Sequence, residues 1–253
     1  MNIAEIVKNK ELIISQKKAE MKRADGIGYS INTDDITTKA LATDSDKITV
    51  KAAINTTNIL DSHGDVHIKG LWSKSLKENK NIMHLQEHQM QFDKIISSGQ
   101  DLKATAKTMT FKELGYNFDG ETQVLQFDST VKLERNPYMF KQYMDGNVTN
   151  HSVGMQYVKL YLAVNDDEYP EEKKVWDKYY STIANKHDAD ERGYFWAVTE
   201  AKVIEGSAVP IGSNQITPTI EVTEAGKQAT STEIEPTIEV TQKEFRNQLK
   251  KLL

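Results

Sequence analysis

Apolar and polar residues alternate along this chain in short bursts of period two, the spacing of half-buried strands. Ile48-Thr49-Val50-Lys51-Ala52-Ala53-Ile54 is one such run and Val124 to Val131 is another. In Asn150-His151-Ser152-Val153-Gly154-Met155-Gln156-Tyr157-Val158, the strand pattern turns Val153, Met155 and Tyr157 toward a core. Ser152, Gly154 and Gln156 then share the opposite face, and Gly154 leaves space beside the Ser152 hydroxyl. Tyr194 to Val198 and Ala201 to Glu205 return to strand character and stop at Pro210 and Gly212.

Helical spacing appears elsewhere. Ile3, Ile6, Val7, Ile13 and Ile14 recur among charges, which predicts an amphipathic helix ended by Gly26-Ile27-Gly28, either docked or frayed. Gly70 to Leu76 suggests a short helix. Asn136-Pro137 opens another through Tyr143, with Pro137 in its first turn and Asp145-Gly146 at its end. Between Val164 and Arg192 the chain is charged, with Val175, Trp176, Tyr179, Tyr180 and Ile183 as an apolar stripe, so it reads as a helical insertion on one edge.

These patterns divide the chain into an N-terminal extension over 1–23 and a compact domain over 24–212 that carries the 164–192 insertion. A Thr/Glu/Pro linker over 213–240 and a short helix over 241–253 follow. The linker holds a repeat, Pro218-Thr219-Ile220-Glu221-Val222-Thr223 recurring as Pro236 to Thr241, and the terminal helix opens on the capping-box pattern Thr241-Gln242-Lys243-Glu244.

Composition narrows the chemistry. A formal net charge of −5 argues against a general nucleic-acid binder, since neutralising phosphates takes a basic surface. The absence of cysteine removes disulfides, thiolate metal sites and a cysteine nucleophile. No apolar run reaches the length of a membrane span, and the first 23 residues mix acids and bases without the apolar region of a secretory signal. No cofactor is expected.

A serine hydroxyl needs a neighbouring base before it can attack a carbonyl. His151, adjacent to Ser152 in a strand, points to the other face, so His88 is the better base. It ends an apolar stretch just before Phe92-Asp93-Lys94-Ile95-Ile96. A third group must orient the imidazole, and Glu205 is a carboxylate inside an apolar strand, where burial without a partner is costly. The alternative is that Glu205 faces solvent on an edge strand.

In order, Asp61-Ser62-His63-Gly64-Asp65 with Gly70, His88 ahead of its Phe-Asp-Lys-Ile-Ile strand, Asp145-Gly146 leading to Ser152-Val153-Gly154-Met155, and Val203-Ile204-Glu205-Gly206-Ser207-Ala208-Val209-Pro210 resemble the prohead maturation proteases of tailed phages. The herpesvirus assemblins share that family's fold. The resemblance spans roughly 47–214. It implies an α+β domain on a mostly antiparallel, barrel-like sheet flanked by helices, with Ser152 as nucleophile, His88 as general base and Glu205 as orienting acid. Glu200 lies close by, and the assemblins use a second histidine in the third role. It further implies a serine endopeptidase inside the procapsid, in the bacterial host cytoplasm, that cuts scaffold and the N-terminal segment of the major capsid protein and then itself. Self-association is possible, and neither nucleic acid nor membrane is an expected partner. The long insertion and Gly206 depart from the family pattern.

Other chemistries compete. His84-Leu85-Gln86-Glu87-His88 fits the H-x-x-E-H pattern of inverted zinc peptidases, in which a helix would give both histidines to a metal and Glu113 or Glu134 would complete it. His63, Asp65 and His67 would cluster if extended, although the Gly64 turn favours a solvated loop. A catalytically silent scaffold or capsid-interaction protein would also carry such tails.

Overall fold

The computed structural model describes residues 2–22, 41 and 45–225. Helices α1 (Ile3–Lys8) and α2 (Lys10–Ala19) are followed by the short strand β1 (Met21–Lys22), then β2 (Lys47–Thr56) and β3 (Asp65–His67). Next come α3 (Ser73–Glu78), β4 (Met83–Gln86), β5 (Ile95–Ser98), β6 (Leu102–Thr110) and β7 (Glu121–Lys132). The rest is α4 (Pro137–Met144), β8 (Asn150–Val164), α5 (Pro170–Tyr179), α6 (Lys186–Arg192), β9 (Tyr194–Val209) and β10 (Thr219–Glu224). The fold is α+β. Among the described residues no helix is long and apolar enough to cross a membrane.

The strands form two sheets, and neither closes into a barrel, which corrects the barrel-like expectation. The larger runs β1-β8-β9-β4-β5, with β3 also on β9; the smaller runs β10-β2-β7-β6. Both β3 and β4 pair parallel to β9, whereas β8 pairs with it antiparallel along nearly its whole length. The two sheets stack so closely that a Cβ on Gly206 of β9 would lie 2.6 Å from both Ile54 and Phe127 of the other sheet. Between them sits a core of Ile48, Val50, Ala52, Ile54, Leu125 and Phe127 against Val153, Met155, Tyr157, Val198 and Val203. Each fully buried large side chain there contributes about 1.5–3 kcal/mol by leaving water.

The alternation in β2 places Ile48, Val50, Ala52 and Ile54 inside, as its period demands. Helix α4 starts where its sequence dictates: the Asn136 side chain accepts a hydrogen bond from the Met139 amide at 3.0 Å, and Pro137 occupies the first turn. Its end at Gly146 takes a left-handed backbone, φ 73°. The insertion joins β8 to β9 and is held by Trp176, which stacks on Tyr180 and packs on Phe195.

Two boundaries shift. Residues 213–225 belong to the fold and not to a linker. Asn214 donates to Asn55 Oδ1 and the Thr56 carbonyl, and β10 adds an edge strand to β2. Hydrogen-bonding side chains share this anchoring with the fully buried Ile216, so an apolar-poor composition hides it. The N-terminal helix is two helices broken at Asn9, and they dock: Ile6 is buried and Lys10 pairs with the buried Glu172 of α5 at 2.7 Å. The Gly26–Gly28 break, the second repeat copy and the 241–253 helix lie outside the described residues.

Candidate active site

Position on β9 decides which side chains meet. Gly206 faces the second sheet, so its neighbours Glu205 and Ser207 face the other way. On β8, Ser152 lies opposite Ser207 and Gly154 opposite Glu205. Directly opposed residues of an antiparallel pair point to the same side, so Ser152, Gly154, Glu205 and Ser207 form one four-residue patch.

His88 reaches this patch from the neighbouring strand. Strand β4 runs beside β9 with Leu85 opposite Ser207 and Gln86 opposite Ala208, and the chain then turns sharply. Glu87 and His88 both take left-handed backbones, φ 52° and 58°, which costs residues with a Cβ roughly 1–2 kcal/mol each. The turn is held by the Glu87 amide donating to the Ala208 carbonyl at 2.9 Å and the His88 amide donating to Ser207 Oγ at 3.1 Å. Its result is that His88 Nδ1 lies 2.6 Å from Glu205 Oε1.

The carboxylate is held at its other oxygen as well, where Ser207 Oγ donates to Glu205 Oε2 at 2.6 Å. Glu205 is fully buried, and Ser152 and His88 are nearly so. Burial of Glu205 excludes the solvent-facing alternative. The space expected beside Ser152 is filled: a Cβ on Gly154 would stand 1.8 Å from Glu205 Oε1. Gly154 makes room for the acid and not for a ligand.

Ser207 escaped the sequence reading. The signal was available, since Glu205 and Ser207 are two apart in a strand and must share a face. Glu200 is elsewhere, paired with Lys159 at 2.5 Å and Lys74 at 3.8 Å near the surface.

His151 and His84 are occupied in the interior. His151 Nδ1 lies 3.1 Å from the Thr217 carbonyl, an acceptor only, so that nitrogen carries the proton and Nε2 accepts. Tyr143 then donates to His151 Nε2 at 3.0 Å and accepts from His84 Nε2 at 3.1 Å, which leaves His84 Nδ1 to accept from Ser129 Oγ at 2.8 Å. Burial keeps both rings neutral, pushing His151 down to about 4 and His84 well below its usual value. His84 sits in a strand and faces Phe127, on the far side of the sheet from Glu205. The H-x-x-E-H stretch is therefore not a helix, and its two histidines share no face. Glu87 is exposed. Among the described residues no group of three or more His, Asp or Glu side chains is arranged to hold a metal ion.

No family model, curated protein or solved structure matches the chain.

His67 corrects the loop expectation over Asp65 to His67, while His63 and Gly64 do lie in a turn. His67 is buried in β3 between Asn55 and Tyr157, and burial lowers it to about 4. Beside it, burial and the neighbouring Asp65 raise Asp61 to about 8. The Asp65 carboxylate accepts from Tyr157 at 2.8 Å and pairs with Lys17 of α2.

Proposed function

We propose that this protein is a serine endopeptidase with Ser152 as nucleophile, His88 as general base and Glu205 as the acid that orients it. The observation that carries the reading is the 2.6 Å contact between His88 Nδ1 and a fully buried Glu205, on the same sheet face as Ser152. A carboxylate on Nδ1 holds that nitrogen protonated and leaves Nε2 to take the serine proton. Ser152 Oγ attacks the scissile carbonyl while its proton passes to His88. His88 returns that proton to the departing amine, and water then hydrolyses the acyl-serine by the same route. Ser207 keeps the acid from rotating.

The substrate rests on the resemblance to prohead maturation proteases and their assemblin-like fold. It would be the scaffold and the N-terminal segment of the major capsid protein, inside a phage procapsid, followed by the protease's own termini. Mass spectrometry of the purified chain tests this directly. The wild-type chain should lose terminal pieces on incubation, and Ser152→Ala and His88→Ala should keep both Met1 and Leu253. Equal trimming in Ser152→Ala would sink the serine mechanism.

A further inference from the structure

We propose that the N-terminal segment over 2–22 is an autoinhibitory strap, latched by Lys17 in a buried carboxylate socket, that holds β1 on the edge of the Ser152 strand. The proposal rests on the serine-peptidase reading and concerns the regulation of that site.

Strand β1 pairs with the outer edge of β8, Met21 opposite Gln156 and Lys22 opposite Met155. The pairing is antiparallel, so β1 points along β8 toward Ser152, three residues beyond Met155. An extended peptide that adds to a sheet uses the main-chain groups of an exposed edge; on β8 that edge is taken by β1 at Met155 and Gln156, and beyond Ser152 by the Thr217 carbonyl, which accepts from the His151 amide at 3.1 Å, so β1 holds the stretch a peptide would need. The Gln156 side chain fastens the approach by donating to the Lys18 carbonyl at 3.2 Å.

A two-residue strand is too short to hold itself there, and the latch supplies the rest. Lys17 reaches Asp65, whose side chain is fully buried, and its ammonium lies 5.6 Å from the Trp196 ring centroid. The second Asp65 oxygen takes the Tyr157 hydroxyl, and Tyr157 belongs to β8. The buried Asp61 carboxylate stands alongside, accepting from the Asp65 amide at 2.9 Å. The Asp65 carboxylate and the Lys17 ammonium make a socket that keeps its lysine, because withdrawing the ammonium leaves Asp65 uncompensated in a dry site. At the far end, Lys10 grips Glu172 of the insertion, which gives that insertion a role as the strap's second anchor.

The test uses the full-length chain. Met21→Pro blocks β1 pairing at an edge without emptying the core, Lys17→Met removes the latch, and Lys17→Arg keeps its charge. Two readouts are followed: hydrogen exchange of the β8 amides from Met155 to Tyr157, and labelling of Ser152 by two reagents. A trialanyl fluorophosphonate must lie along β8, whereas an alkyl fluorophosphonate need not. In Met21→Pro and Lys17→Met, β8 exchange and trialanyl labelling should each rise about tenfold or more, alkyl labelling should stay within about twofold, and Lys17→Arg should track the wild type. Unchanged β8 exchange in Met21→Pro overturns the strap, and so does unchanged trialanyl labelling where the alkyl reagent reacts. Failure of the alkyl reagent in every variant, with β8 exchange raised, refutes Ser152 as nucleophile and the inhibitory role with it.

Discussion

Adding one methyl group at position 154 puts a carbon where the Glu205 carboxylate already is. In Gly154→Ala the new Cβ would stand 1.8 Å from Glu205 Oε1, so the acid must retreat by about 1.6 Å to reach the 3.4 Å of ordinary contact. A retreat of that size breaks its 2.6 Å contact with His88 or its 2.6 Å bond from Ser207. A base without its orienting acid loses on the order of 10⁴ in turnover in the best-studied serine peptidases, and we expect at least about 10² here. The overpacking itself should cost about 1–3 kcal/mol. Gly206→Ala is the matched control. Its Cβ meets Ile54 and Phe127 at 2.6 Å, a similar insult aimed at the opposite face. Peptide hydrolysis per folded molecule, with the folded fraction taken from urea denaturation, separates the two: Gly154→Ala should lose activity beyond its stability cost, and Gly206→Ala should lose stability alone. A folded Gly154→Ala with activity near wild type would refute Glu205 as the orienting acid.

Three further outcomes follow from the geometry. Ser207→Ala leaves one Glu205 oxygen without its donor and should lower activity by about tenfold while costing about 1–3 kcal/mol, read from hydrolysis rates and urea midpoints. Tyr143→Phe strands the facing nitrogens of His84 and His151 and should cost about 1–3 kcal/mol in the same denaturation assay. Stability should also respond to pH in two opposed ways. His67 and His151, near 4 when folded and 6.5 when unfolded, contribute stability that is complete above pH 6.5 and is lost as pH falls toward 4. Asp61, near 8 when folded and 3.8 when unfolded, contributes stability that is complete below pH 3.8 and is lost as pH rises through 8, so it partly offsets the histidines in that window. Asp61→Asn should therefore steepen the acid loss between pH 6.5 and 4 by about 1.4 kcal/mol per pH unit, and an unchanged slope would contradict the raised Asp61.

Alternation and capping made a good part of this molecule readable. The inward set Val153, Met155 and Tyr157 follows from period two, and the start of α4 follows from Asn136-Pro137. What stayed hidden was set by which strands become neighbours. Nothing near Glu205 in the chain announces that β4 will lie parallel beside it and bring His88, because that pairing joins segments more than a hundred residues apart. Gly154 was legible as a gap, but whether a gap holds substrate or a buried side chain depends on the strand opposite. The 213–225 segment was misread because composition averages over its few apolar residues, whereas the hydrogen bonds of Asn214 and the single buried Ile216 are enough to anchor it.

Strand β9 lies between β8 and β4 in its sheet, yet it is made after both. Ser152 on β8 and His88 in the turn after β4 thus leave the ribosome with no common neighbouring strand, and Glu205 arrives with the strand that joins them. At synthesis rates of about 5–20 residues per second, the nascent chain spends several seconds with its serine and histidine present but unassembled. A chain able to cut itself would be protected during its own manufacture by the order in which its strands are translated.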